Sequence, residues 1–289
     1  MKIGWHADAH YSGSHKDDII KDPINYLFET IGCDITIFGG DNVLLEDHIG
    51  EGSNYPNYFW NAVDETDYGH LCYAIPGNHD VPLDAWFRYS DDRAMCPREL
   101  NYDGISIYLL NSVGSYGKGD GKPDNAGGRT GIGEMCPYVP MKDIRWFHTQ
   151  ATAAKARGDV ILVFSHHHLF FTVDSAAKDS ASGTSIIPSY SLYQIIRNAH
   201  SMYAVLQDIA PVICLMGHLY VNPSGEGYKE HNSDEVYLVY KDHFWTGAVG
   251  TISTFAYVEV NTGTGNVKVY TIEHNYTTVN TILDLTPSW

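Results

Sequence analysis

The sequence predicts an α/β protein built as an αββα sandwich, two packed mixed sheets flanked by helices. Three observations predict it. Apolar, strand-like runs alternate with helical runs from the N-terminus to about residue 216. From Val236 onward the pattern is of strands alone, so βα units are followed by a run of strands, which favours two sheets packed face to face. Five of the apolar runs end in short clusters of Asp, Asn and His. In an α/β sheet, ligands gather beyond the carboxyl ends of the strands.

The elements follow in order. Ile3 to Trp5 reads as a strand and leads into Asp8-Ala9-His10. Asp22 to Ile31 reads as a helix, with the Asp22 carboxylate as its N-cap and Pro23 at the first helical position. Ile35 to Phe38 is the next strand and precedes Gly40-Asp41-Asn42. Tyr58 to Thr66 is a candidate helix, and Leu71 to Ile75 a strand ending at Gly77-Asn78-His79-Asp80. Ile105 to Leu110 is a further strand. Segment 113–140 holds eight glycines and three prolines and reads as a long loop near the site. Met141 to Arg157 returns to helix. Val160 to Phe164 is a strand before Ser165-His166-His167-His168. Segment 174–189 is a second polar loop, followed by a helical run from Tyr190 to Ile209. Val212 to Met216 leads into Gly217-His218-Leu219-Tyr220. Val236 to Tyr240, Thr251 to Val260 and Val267 to Ile272 are the late strands, the last two joined by a hairpin turn at Asn261-Thr262-Gly263-Thr264-Gly265. No repeat or low-complexity tract divides the chain, so residues 1–289 read as one domain.

Composition narrows the function. With 18 basic and 35 acidic residues the net charge is −17, and Lys and Arg are scattered singly. A long nucleic acid is disfavoured by that charge. No run approaches the ~20 apolar residues that span a bilayer, so no membrane partner is expected. The N-terminus runs straight into the first cluster without the pattern of a signal peptide, which favours a cytoplasmic location. The five cysteines, Cys33, Cys72, Cys96, Cys136 and Cys214, are widely spaced and read as buried free thiols.

The five clusters occur in one order along the chain, and together they resemble the calcineurin-like metallophosphoesterases. That family's pattern is D-x-H, G-D, G-N-H-D/E, a His after a strand, then G-H-x-H. Four of the five clusters match at their key positions. Asp143-Ile144-Arg145-Trp146-Phe147 sits where the family places a Trp-bearing helix. The resemblance runs from Asp8 to Tyr220 and implies the αββα sandwich as well.

The resemblance also implies chemistry. Two divalent or trivalent cations (Mn, Fe, Zn or Ni) would be held by hard ligands. Asp41 would bridge them, Asp8 and His10 would hold the first, and Asn78, His166 and His218 the second. A metal-bound hydroxide would attack the phosphorus of a small phosphodiester or phosphomonoester. His79 would protonate the leaving group as general acid. Of the His run, the family uses the first. His167 and His168 fall to positions behind the ligand or facing substrate, and His6, His148, His200 and His274 read as ordinary hydrogen-bonded core residues. Tyr11, Tyr55, Tyr58, Tyr116, Tyr190 and Tyr193 fall in or near loops that could ring the site, with core and surface filling at least as good an account of each.

One position departs from the pattern. Tyr220 stands where the family has its last His. Either the phenolate ligates the first metal, or water takes that position with Tyr220 nearby. An unperturbed phenol pKa of ~10 favours water. Two alternatives to the small-ester enzyme remain: a nuclease of the same family, and a binding or structural protein on the same scaffold with weakened catalysis.

Overall fold

The computed structural model describes residues 1–11, 17–43, 55–78, 80, 86–87, 89–113, 137–170, 196, 198–217, 228–231, 235–240, 254–273, 276 and 279–289. Among the described residues, twelve strands form two six-stranded mixed sheets. The first sheet has the order β12-β11-β10-β1-β2-β3. Its strands are β1 (Lys2–His6), β2 (Ile35–Gly39), β3 (Cys72–Ile75), β10 (Thr254–Asn261), β11 (Asn266–Glu273) and β12 (Val279–Leu285). The second has the order β4-β5-β6-β7-β9-β8, from β4 (Arg98–Tyr102), β5 (Ile105–Leu109), β6 (Val160–Ser165), β7 (Val212–Met216), β8 (Tyr228–His231) and β9 (Val236–Tyr240).

Within each sheet, the strands before the five clusters run in one direction. β1, β2 and β3 are parallel, as are β5, β6, β7 and β9. All five clusters therefore emerge from the same ends of their sheets. These strands are buried on both faces, which is why they read as unbroken apolar runs.

Three apolar layers hold the sandwich together. Between the sheets, Ile3, Trp5, Ile37 and Ile75 meet Ile107, Leu162, Phe164 and Leu215. Trp5 stands edge-on to Phe164 at 6.2 Å. Outside the second sheet, α3 (Met141–Arg157) and α4 (Ala199–Ile209) bury Phe147, Ala151, Met202 and Leu206 against Tyr108, Val163 and Cys214. Outside the first sheet, Ile20, Ile24, Phe59 and Val63 cover Phe38 and Ala74. They come from α2 (Tyr55–Asp64) and from a helical run of two wide turns, Asp17–Lys21 and Tyr26–Ile31, around the α-helical turn α1 (Asp22–Asn25). The layers are helix, sheet, sheet, helix, as the sequence predicts.

Several boundaries differ from the sequence reading. Asp22 is not an N-cap, because the helical run already begins at Asp17 and Lys21 before it is helical. Leu71 belongs to a short 3₁₀ turn, and β3 starts at Cys72. The helix α4 starts at Ala199, since Asn198 lies outside it and uses its side chain to clamp Val139, accepting at Oδ1 (3.4 Å) and donating from Nδ2 (2.7 Å). Strands β4, β8 and β12 have no counterpart in the sequence reading, and each pairs antiparallel at a sheet edge. The hairpin over Asn261 to Gly265 is present, with the Asn261 carbonyl accepting Thr264 N–H at 3.2 Å. The four described cysteines are free, three of them buried. No helix among the described residues is long and apolar enough to cross a membrane.

Candidate metal centre

The exits of β1 and β2 are stitched to each other before any ligand is considered. Asp8 N–H donates to the Gly40 carbonyl (2.9 Å), His10 N–H to Asp41 (2.8 Å) and Tyr11 N–H to Asn42 (3.0 Å). This lattice holds three candidate ligand positions in the left-handed region, with φ of 56° at Asp8, 44° at His10 and 50° at Asp41. Such angles are uncommon outside glycine and collect at functional sites.

The three side chains converge. Asp8, His10 and Asp41 are buried, and one ligand atom from each lies within 4.8 Å of the others. Two buried carboxylates so close repel each other without a cation. Carboxylate and imidazole are donors that a hard or borderline divalent cation accepts. The donor set therefore fits a metal.

A second group shares Asp41. His166 Nε2 lies 3.1 Å from Asp41 Oδ2 and 3.2 Å from Asn78 Oδ1. His10 Nε2 stands 3.9 Å from that same Asp41 oxygen. One carboxylate oxygen thus sits between imidazoles from two clusters. His166 Nδ1 faces the Gly39 carbonyl at 3.0 Å, which fixes its N–H there and turns Nε2 toward Asp41 and Asn78. Burial alone would lower the pKa of His166, but the charges of Asp41 and Asp8 overcome it and raise the pKa to about 9. A proton on Nε2 then occupies the position between the acceptors that a cation would take.

The glycines of the clusters make room for side chains of other clusters. A methyl group on Gly77 would collide with the backbone N and Oδ1 of Asp41, and one on Gly40 with the His166 ring. A methyl on Gly217 would stand 2.7 Å from Asp8 Oδ2, which brings the exit of β7 against the first group. His79, His218 and Tyr220 lie outside the described residues, as do Tyr116, Tyr190, Tyr193 and nearly all of segments 113–140 and 174–189. Tyr11 is buried in the layer beneath α2, Tyr58 is exposed on α2, and His148 is a surface residue paired with Asp208 at 2.6 Å.

Two contributors escaped the sequence reading. Asp80, fully buried, ties the second and third clusters together. Its Oδ1 accepts from Asn42 N–H and Val43 N–H, both at 2.9 Å, and its Oδ2 from Asn42 Nδ2 and Gly77 N–H, both at 2.8 Å. Burial, then the charge of Asp41, push its pKa up to about 7 against the pull of these backbone N–H groups. A cation over Asp41 removes the second of those causes. Ser112, also buried, holds His167, its Oγ 2.9 Å from Nδ1 and 3.1 Å from the backbone N. The Asp at the end of Gly-Asn-His-Asp was a signal for the first residue. Nothing in the sequence marked the second.

The sequence matches no family model, and no curated protein matches it. Solved structures do share its fold. A dimetal phosphatase from Danio rerio superposes with a TM-score of 0.63 at 12% identity, covering 98% of both chains. GAP50, the anchor in the inner membrane complex of Plasmodium, superposes with a TM-score of 0.57 at 12% identity, covering 100% of this chain and 90% of its own. The chain thus has the fold of the calcineurin-like metallophosphoesterases. At the exits of its strands that fold carries a buried Asp-His-Asp group able to hold a metal ion.

Proposed function

We propose that the protein is a dinuclear metal-dependent phosphoesterase that hydrolyses a small phosphodiester or phosphomonoester. The observation that carries the reading is the position of Asp41 Oδ2 between His10 and His166. Asp8, His10 and Asp41 hold one cation, and Asp41, Asn78, His166 and His218 the other. Such a pair supplies Lewis acidity to the phosphoryl oxygens and activates water at neutral pH. The residues do the rest. Asp41 sets the separation of the two sites, and the Gly39 carbonyl keeps His166 Nε2 facing them. His79 delivers a proton to the departing alkoxide. The net charge of −17 favours a small ester over a nucleic acid, which makes a nuclease the lesser enzyme reading.

A second reading, a binding or structural protein on the same scaffold, draws support from Tyr220 and from the shared fold with GAP50, an anchor. Metal content separates the two. The purified protein is loaded with Mn²⁺, Zn²⁺, Fe²⁺ or Ni²⁺, its metals are counted, and it is assayed on nitrophenyl mono- and diesters, cyclic nucleotides and single-stranded DNA. Two metals per chain with turnover of a small ester are expected, and Asp41→Asn should lose both metals and most of the rate. A wild-type chain holding no metal, or an Asp41→Asn variant with two metals and near-normal turnover, refutes the assignment.

A further inference from the structure

Three histidines stand in a row at the exit of β6, and the structure distinguishes the first from the second by their hydrogen-bond partners. His166 Nδ1 faces a carbonyl, Gly39 O, at 3.0 Å. A carbonyl only accepts, so that nitrogen keeps a proton, and Nε2 is the nitrogen that would offer a lone pair to a cation in place of the proton it holds toward Asp41 and Asn78. His167 Nδ1 faces a hydroxyl, Ser112 Oγ, at 2.9 Å. The same oxygen accepts the His167 backbone N–H at 3.1 Å. Ser165 Oγ donates to the His167 carbonyl at 2.9 Å, so the residue is gripped at its backbone as well as its ring.

The hydroxyl has one proton and a backbone N–H can only donate. Ser112 is fully buried, and among the described residues its hydroxyl bonds only to His167. The acceptor open to its proton is therefore His167 Nδ1. The opposite tautomer would leave the buried O–H with no acceptor, the arrangement folded proteins avoid. His167 is thus the Nε2–H tautomer, while its neighbour His166 has its proton fixed on Nδ1. The two rings meet edge to face, with centroids 4.8 Å apart and planes at 85°.

We propose that Ser112 is a positioning residue that makes His167 a non-ligand. Holding the proton on His167 Nε2 denies that nitrogen to a cation, and the clamped ring braces His166, so the second metal is directed to His166 alone. The proposal rests on the proposed function only in taking His166 as a metal ligand.

The test begins on metal-free wild-type protein. Long-range ¹H–¹⁵N correlation of the imidazoles at a pH where His167 is neutral should show a protonated Nε2 and an unprotonated Nδ1. An Nδ1–H tautomer overturns the proposal without any variant being made. In Ser112→Ala, with folding checked by circular dichroism, the His167 tautomer should become mixed. Mn²⁺ affinity at the site that includes His166 should fall about 10-fold, the low end of what removing an outer partner of a ligand costs. Ser112→Thr keeps the hydroxyl and should restore both the tautomer and the affinity. A folded Ser112→Ala that binds Mn²⁺ like wild type, while wild type binds two ions, overturns the positioning role alone. A wild-type chain that takes up no Mn²⁺ overturns the reading of the site and the metal half of this proposal with it, while the imidazole spectrum separately decides the clamp.

Discussion

Replacing Asp80 with alanine strands four buried donors at once. The backbone N–H groups of Asn42, Val43 and Gly77 and the Asn42 side-chain amide all point at its two oxygens, at 2.8–2.9 Å. A hydrogen bond to a charged acceptor contributes about 1.5–3 kcal/mol, so the gross loss is roughly 6–12 kcal/mol. Two effects reduce it. The carboxylate itself is costly to bury, as its raised pKa records. Water can also enter the vacated space and accept from some of the stranded donors. A net destabilisation of about 3–5 kcal/mol is expected, the range found when one partner is removed from a buried charged pair. For a chain of this length that corresponds to a fall in Tm of roughly 6–15 °C. Asp80→Asn should be almost as damaging, because either orientation of the amide puts its NH₂ against two N–H donors. Thermal unfolding in EDTA isolates this effect from any metal contribution, and a parallel Mn²⁺ titration should show weakened uptake, since Asn42 and Val43 directly follow Asp41. An Asp80→Ala protein within 1 kcal/mol of wild type in EDTA refutes the reasoning.

Three further outcomes follow from the same site. Gly77→Ala drives a methyl group into Asp41 and should weaken metal binding at least ~10-fold, measured by competition with a chromophoric chelator; native affinity would show that the cluster yields more easily than its packing indicates. His79→Ala should leave metal content unchanged and slow alkyl esters more than nitrophenyl esters, whose leaving group needs little protonation; equal losses on both would argue against an acid role. Tyr220→Phe should be mild and Tyr220→His should raise first-site affinity, read by metal titration, whereas a Tyr220→Phe protein with an empty first site would make the tyrosine a ligand.

The parts of the fold that the sequence made legible are those buried on both sides. β2, β6 and β7 read as apolar runs because neither face meets water, and the clusters after them mark where each strand ends. β4 was not legible. Its residues Arg98-Glu99-Leu100-Asn101-Tyr102 are half-buried or exposed at a sheet edge, so no apolar run or clean alternation survives. The site divides in the same way. Asp8, His10, Asp41, Asn78 and His166 are visible as types at the ends of strands. Asp80 acts on Asn42, 38 positions away, and Ser112 on His167, 55 positions away, so their roles exist only once the strands are paired.

The strain at the site points to what it is for. Three of the seven described non-glycine residues at positive φ are Asp8, His10 and Asp41. A residue held in that region costs about 1–3 kcal/mol, and it persists only where its surroundings over-determine it. Here they do so in two ways. The exits of β1 and β2 exchange three backbone hydrogen bonds, so neither can relax without breaking the other. The exit of β3 then locks the pair from beneath, through Asp80 and through the close approach of Gly77 to Asp41. None of these contacts needs a cation. The fold therefore holds two carboxylates against their mutual repulsion, a repulsion that a bound cation would neutralise.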